Sequence, residues 1–302
     1  MKMIEVRGLK KSFEKLYVLD GLDMNVNKGS IYGLVGPNGA GKTTLIKNMV
    51  GIYKPDAGQI KINGEDVYEN VDIKQRIAYM PDENTSFKNY SIKDMAKFYK
   101  GIYINWSSEK YEKVKAVLGL DEKIKIDKLS KGMKKQAMFL LLLSTMPELM
   151  LLDEPVDGLD PMVRKKIWNI IIEDVVEREM TVVISSHNLR ELEDFCDTIG
   201  IMKGKKIVIE KELDELRSVI TKIQVAFDNE ASREELLAKD YILAKETKGN
   251  MDILIVRGSQ DEIRNEIEAT KPKLFDIMPL TLEEIFIYEM EEAGYEKNEL
   301  IV

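Results

Sequence analysis

The chain has 302 residues, 44% hydrophobic and 32% charged, a balance that suits a soluble globular protein of two domains or one large one. A single cysteine, Cys196, excludes an internal disulfide and a four-cysteine zinc site, and it fits a reducing compartment. The net charge of -8 is uneven: 12 Lys/Arg face 22 Asp/Glu from Lys211 onward, against 33 and 31 before it, so no dedicated nucleic-acid surface is expected.

The opening MKMIEVRGLKK lacks the apolar core that a signal peptide needs. MIEVRGL, VLDGLDMNV and SIYGLVG read as strands. The last runs into a glycine-rich turn and then TTLIKNMVG, an amphipathic helix ending at Gly51. GQIKING and RIAYMP are further strand signals, and a helical stretch covers about Ser91 to Met146. Within it AMFLLLLSTM, residues 137–146, is the longest apolar run, about half a bilayer span and closed by Pro147 and Glu148. Work at a membrane would therefore need spans supplied by another chain. LMLLDEP reads as a short buried strand, and PMVRKKIWNIIIEDVVER as a helix opened by Pro161. TVVISS is a buried strand, NLRELEDFC a helix, and TIGIMKGKKIVIE two short strands around Gly204. Apolar strands alternating with helices predict an α/β fold with a mostly parallel sheet covered on both faces.

After about Lys211 the texture changes. ITKIQVAFD reads as a strand, SREELLAKD a helix, MDILIVRG a strand, DEIRNEIEAT a helix, and LTLEEIFIYEMEEAG a final amphipathic helix. This order predicts a small α+β domain, and the chain holds no tandem repeat or low-complexity tract.

GPNGAGKTT, residues 36–44, matches G-x-x-x-x-G-K-[ST] between a predicted strand and a predicted helix, the context that motif requires. Gly36, Gly39 and Gly41 let the backbone wrap closely. With Pro37, Asn38 and Ala40 they form a cradle whose N–H groups point at phosphates, and the following helix adds roughly half a positive charge at its N-terminus. Lys42 would reach the β- and γ-phosphates, Thr43 would offer a hydroxyl to Mg²⁺, and Thr44 would contact the α-phosphate side. A merely flexible glycine loop leaves those fixed positions unexplained. LMLLDEP then delivers two adjacent carboxylates to the C-terminal edge of the sheet, where open α/β sheets bind ligands. Asp153 would hold Mg²⁺ through water, and Glu154 could polarise a water for attack on the γ-phosphate. The bland alternative is a pair of acidic residues ending a strand in solvent.

A phosphate loop, then LSKGMKKQ at residues 129–136, then LLDEP, then SSH is an order that resembles the nucleotide-binding subunit of an ABC transporter. Ser130 lies 23 residues before Asp153, and His187 lies 33 after Glu154. The resemblance covers about residues 2–215. It implies a P-loop NTPase cassette over residues 1–215, with a RecA-like core, an antiparallel β subdomain and a helical subdomain at about 83–146. Residues 216–302 would form a C-terminal accessory α+β domain. The resemblance gives His187 contact with the γ-phosphate and Asp160, in DGLDP, a place in the loop that links two sites across a dimer. Phe13 matches the aromatic that stacks on adenine, with Tyr17 a nearby competitor. Ser130 and Gly132 would cover the γ-phosphate held by the opposite subunit, although Ser130 also reads as a plain helix cap. The signature departs from the common LSGGQ: Lys131 stands for a glycine and Met133 for the glutamine. The family's Mg²⁺-contacting glutamine is replaced by Asp82, followed by Glu83; Asp82 is a candidate metal residue, since an acidic group can still bind Mg²⁺ or orient water, though it adds negative charge beside the phosphates.

What the resemblance implies as partners is ATP with Mg²⁺, a second nucleotide-binding subunit, identical or similar, and a transmembrane permease, with no nucleic acid. The chain would sit in the cytoplasm against the inner face of the membrane. The LSKGM form, the PDE at the end of strand RIAYMP and the tail LTLEEIFIYEM together resemble a bacterial branch that includes subunits linked to export of antibiotics, lipids or ions. Two alternatives stand beside this. A soluble ABC ATPase acting on ribosomes or DNA usually carries a long coiled coil or two cassettes. A P-loop kinase gives no reason for Ser130, Gly132 and His187.

Overall fold

The computed structural model describes residues 1–82 and 89–292; Glu83, the start of the expected helical subdomain, and residues 293–302 beyond the last helix lie outside the described residues. Two compact units divide the chain, Met1–Glu210 and Lys211–Val302.

In the first unit β1 (Lys2–Phe13) and β2 (Leu16–Asn27) form a long antiparallel hairpin. Met3, Ile4, Val6 and Leu9 of β1 are buried. β3 (Ile31–Val35) leads into α1 (Lys42–Met49). β4 (Ala57–Ile62) returns to pair with β1, and β5 (Glu65–Asp66) closes a four-stranded sheet of order β2-β1-β4-β5. The short α2 (Val71–Lys74) precedes β6 (Ile77–Met80).

Three helices follow. α3 (Ile92–Ile102) opens on a capping box between Ser91 and Asp94, which satisfies donors that the first turn would otherwise leave bare. α4 (Ser108–Leu118) is capped by Ser107 and stopped by Gly119 in the left-handed conformation. α5 (Lys131–Ser144) opens on Ser130, whose side chain accepts from the Met133 amide. The expected helical stretch is thus three helices, broken where caps and Gly119 demand it.

β7 (Leu149–Asp153), α6 (Pro161–Arg178), β8 (Thr181–Ser186), β9 (Thr198–Lys203) and β10 (Lys206–Glu212) complete the unit. The central sheet has the order β10-β9-β3-β8-β7-β6, with parallel ladders from β9 through β3, β8 and β7 to β6. Every residue of β3, β7 and β8 is buried, as expected of strands covered on both faces. Truncating a fully buried side chain there, such as Leu151→Ala, should cost about 2–5 kcal/mol. In register Val35 meets Ser186 and Asp153 meets Ser185, so three strand ends open at one edge.

One expected helix is corrected. NLRELEDFC holds only a 3₁₀ turn at Leu189–Glu191, followed by turns. The tighter path buries Leu192 and Cys196 against Gly33 of β3 and stacks Phe195 on Trp168 at 3.9 Å. Asp197 then ties both its amide and its carboxylate to Ile31, which ends the segment before a helix can develop.

The second unit begins with α7 (Leu213–Val219) and then alternates β11 (Ile220–Ala226), α8 (Glu230–Leu237), β12 (Ile242–Lys248), β13 (Met251–Arg257), α9 (Gln260–Ala269) and β14 (Leu274–Met278), before α10 (Leu282–Glu292). Its antiparallel sheet has the order β12-β13-β11-β14, a split β-α-β arrangement. Ile223, Val225, Leu254 and Val256 meet Leu236, Ile263 and Ile267 in one core. Asp252 is buried beneath Arg233, which contacts both of its carboxylate oxygens.

Candidate nucleotide site

The loop from Gly36 to Gly41 leaves β3 and turns into α1. Gly41 caps that helix with φ 106° and supplies no side-chain hydrogen bond. Only glycine fits there: a Cβ would stand 2.9 Å from Met202 Cε and 3.0 Å from Leu19 Cδ2. The first amides of α1 therefore open on a bare helix end, an electropositive anion site. Pro37 and Ala40 close the loop internally through an amide-to-carbonyl bond of 3.1 Å, with Asn38 and Gly39 at its turn. Lys42 is buried; its Nζ donates to the Gly36 carbonyl at 2.6 Å and the Pro37 carbonyl at 3.3 Å. Thr43 is exposed on the same turn and Thr44 is half-buried behind it.

Asp153 and Glu154 end β7 in opposite environments. Asp153 is 1% exposed; Oδ1 accepts from Ser185 Oγ at 2.6 Å, while Oδ2 is buried without a hydrogen-bond partner among the described residues. A buried carboxyl oxygen without a hydrogen-bond donor among the described residues suits a hard divalent cation, and the Thr43 hydroxyl is also an oxygen ligand. The residues present thus fit Mg²⁺. Glu154 has φ 46°, in the left-handed region. Its amide donates to Ser185 O and Oγ at 3.2 and 3.1 Å. The carboxylate lies between Lys42 Nζ at 3.5 Å and His187 Nδ1 at 3.0 Å. His187 follows β8 with its ring 50% exposed. Phosphate loop, carboxylates and histidine are thereby brought together by three adjacent strands.

Beside them lies the turn that opens α5. Gly132 is fixed by contact, since a Cβ would stand 2.7 Å from the Gly158 carbonyl. Lys131 bonds Asp157 at 2.7 Å. Lys131 thereby holds Asp157 below the ordinary carboxylate value, and Asp157 raises Lys131 in return. Lys135 donates to the Glu154 carbonyl at 2.6 Å. Burial pulls Lys135 below the usual lysine value, opposed by Asp82 and Asp157. Asp82, half-exposed just past β6, lies 3.9 Å from Lys135 Nζ. Burial pushes the Tyr79 hydroxyl up, with the Asp153 and Asp82 carboxylates adding to it. Asp160 caps α6, accepting from the Met162 and Val163 amides. Phe13, 39% exposed at the end of β1, meets Tyr53 edge-on at 5.1 Å with Lys11 Nζ 5.4 Å from its ring; Tyr17 is the more exposed ring.

Three contributors were not read from the sequence: Ser185, Lys135 and Tyr53. The first sits inside SSH and carried a signal only through its neighbour His187. Lys135 and Tyr53 carried none.

A glycine-rich loop capping a helix, a buried lysine folded into it, and paired acids at the neighbouring strand end define a P-loop nucleoside triphosphatase. The ABC transporter family model matches residues 19–157. ABC transporter ATP-binding protein YtrB of Bacillus subtilis is 32% identical over 285 residues, 94% of this chain and 97% of that protein. Lantibiotic transport ATP-binding protein SrtF of Streptococcus pyogenes is 35% identical, covering 70% of this chain and 92% of its own. Bacitracin transport ATP-binding protein BcrA of Bacillus licheniformis is 34% identical, covering 71% of each chain. Among solved structures, an ATP-binding subunit of an ABC transporter superposes with TM-score 0.66 at 26% identity, over 71% of this chain and 92% of its own. A dimeric bacterial ABC transporter cassette shares the fold, with TM-score 0.64 at 20% identity, over 70% and 99% of the two chains. The chain belongs to the ATP-binding proteins of ABC transporters. It is an ATPase, the ATP-binding subunit of a transporter.

Proposed function

We propose that this chain powers export through a separate membrane-spanning permease, two nucleotide-binding subunits closing around two ATP molecules. The cassette would occupy residues 1–215, its helical subdomain meeting the permease, with residues 216–302 an accessory domain that aids dimerisation or regulation. The observation that carries the hydrolytic reading is the Glu154 carboxylate, set between Lys42 and His187 near the Asp153 oxygen that has no hydrogen-bond partner among the described residues. The relatives' names, lantibiotic transport and bacitracin transport, support transport of such cargo; the export direction rests on the resemblance of the LSKGM signature and the LTLEEIFIYEM tail.

In this reading Lys42 leaves the carbonyls of Gly36 and Pro37 for the β- and γ-phosphates, and the amides from Gly39 to Thr44 receive the remaining oxygens. Thr43 and Asp153 would hold Mg²⁺, with Asp82, 3.9 Å from Lys135, a further candidate ligand or water-orienting group; when bound the ion would supply charge neutralisation at the phosphates. Glu154 takes the proton of the attacking water, and His187 reaches the γ-phosphate. Phe13 stacks on adenine with Tyr53 behind it. Ser130 and Gly132 face the partner's γ-phosphate, and Asp160 lies in the loop between the two sites.

No described helix is long and apolar enough to cross a membrane. In this reading the permease holds the chain against the cytoplasmic face. The test is co-expression with a multi-span membrane protein. A complex with two copies of the cassette, whose ATP hydrolysis drives a peptide antibiotic into inverted vesicles, is the expected result. A stoichiometric complex with ribosomes or DNA, and none with a membrane protein, overturns it.

A further inference from the structure

The first turns of α5 place Lys131 and Lys135 four residues apart, hence on one helix face. Lys131 projects into solvent and pairs with Asp157. Lys135 does not reach solvent: it is 1% exposed, and a buried ammonium persists only where specific partners hold it. Its Nζ donates to the Glu154 carbonyl at 2.6 Å and lies 3.9 Å from Asp82.

That carbonyl belongs to a residue under constraint. Glu154 is not glycine, yet its φ of 46° is left-handed, a conformation that persists only where the surroundings over-determine it. Ser185 takes the Glu154 amide from one side, and Lys135 takes the Glu154 carbonyl from the other. With both peptide groups fixed, the Cα–Cβ bond has one direction, and the carboxylate falls between Lys42 and His187. Release of the carbonyl frees the peptide toward ordinary φ and swings the carboxylate away.

We propose that Lys135 is a positioning residue for hydrolysis: its buried amine pins the Glu154 backbone, and through it the orientation of the Glu154 carboxylate. The inference rests on the reading of Glu154 as general base. It assigns to the signature helix a task in its own subunit's site, distinct from the one Ser130 and Gly132 would have toward the partner's nucleotide.

The test is a graded series in the full chain, reading kcat for ATP hydrolysis and the Kd for ATP separately. Lys135→Gln keeps a donor but shortens its reach, and it should lower kcat several-fold. Lys135→Met keeps length and loses the donor; kcat should fall about tenfold or more, the size of one unsatisfied buried carbonyl. Kd should stay within about twofold across the series. In a Glu154→Gln background Lys135→Met should cost no further turnover, because the two act as a unit. Parental kcat in the variants, or a Kd that rises as much as kcat falls, overturns the proposal. So does a full additional loss in the Glu154→Gln background. Should Lys135→Met not fold, Lys135→Gln decides alone: lowered kcat at constant Kd sustains the inference, and unchanged kcat ends it. Parental hydrolysis by Glu154→Gln would instead refute the base assignment.

Discussion

Two helices begin at this site, and they begin differently. α1 opens on Gly41, without a side chain to cap it, and its lysine is folded inward onto the loop carbonyls. α5 opens on Ser130, which caps its own Met133 amide, and Lys131 and Lys135 are committed to Asp157 and to the Glu154 carbonyl. A bare helix end is held ready for a phosphate within its own chain. A capped end, braced by bonds from its side chains, is a rigid surface presented outward. Glu154 is where the two meet, its carboxylate toward α1 and its carbonyl toward α5.

The largest effect is expected at the residue the two helices share. Glu154→Gln should cut hydrolysis roughly 10²–10⁴-fold while ATP still binds, the usual contribution of a general base; steady-state turnover and nucleotide binding measured together check it. Next comes the bare end. Lys42→Ala removes a charge-assisted contact worth about 1.5–3 kcal/mol, so ATP affinity should fall roughly ten- to a hundredfold and turnover with it, as titration calorimetry can read. At the capped end Ser130→Ala should cost only about 1 kcal/mol of stability, visible as a lower denaturant midpoint, with ATP affinity of the single subunit unchanged. The smallest effect is expected at Lys131. Asp157→Asn should lose about 0.2–1 kcal/mol at neutral pH, as exposed pairs do. The carboxyl of Asp157 is held low in the fold, so its contribution is present above the ordinary aspartate value and fades as pH falls through the lowered one. Parent and variant should therefore converge in acid, as thermal midpoints across pH would show.

Legibility in the sequence followed how local the physics is. The phosphate loop is contiguous, so Gly36 to Thr44 were readable as one unit. The strands β3, β7 and β8 announced themselves because burial on both faces leaves no polar position. In the second unit β11 and β13 were readable from their apolar residues. The edge strands β12 and β14 were not, since partly exposed edges carry a weaker pattern. NLRELEDFC had helical spacing, but Asp197 and the packing of Leu192 and Cys196 prevailed over it.

The sequence by itself determined the P-loop, the paired acids at the end of a buried strand, the order of motifs that places the chain among ABC transporter ATPases, and an α/β core followed by a smaller α+β unit. Each is written in neighbouring residues or in a period that one element imposes. The tertiary structure alone decided which side chains converge. It set Glu154 between Lys42 and His187, put Tyr53 beside Phe13, and left Asp153 Oδ2 without a hydrogen-bond partner among the described residues. It also buried Lys135, which as sequence is one charged residue among several on a helix. Burial depends on what the chain lays over a position, and here the covering loop begins 19 residues further on, at Glu154.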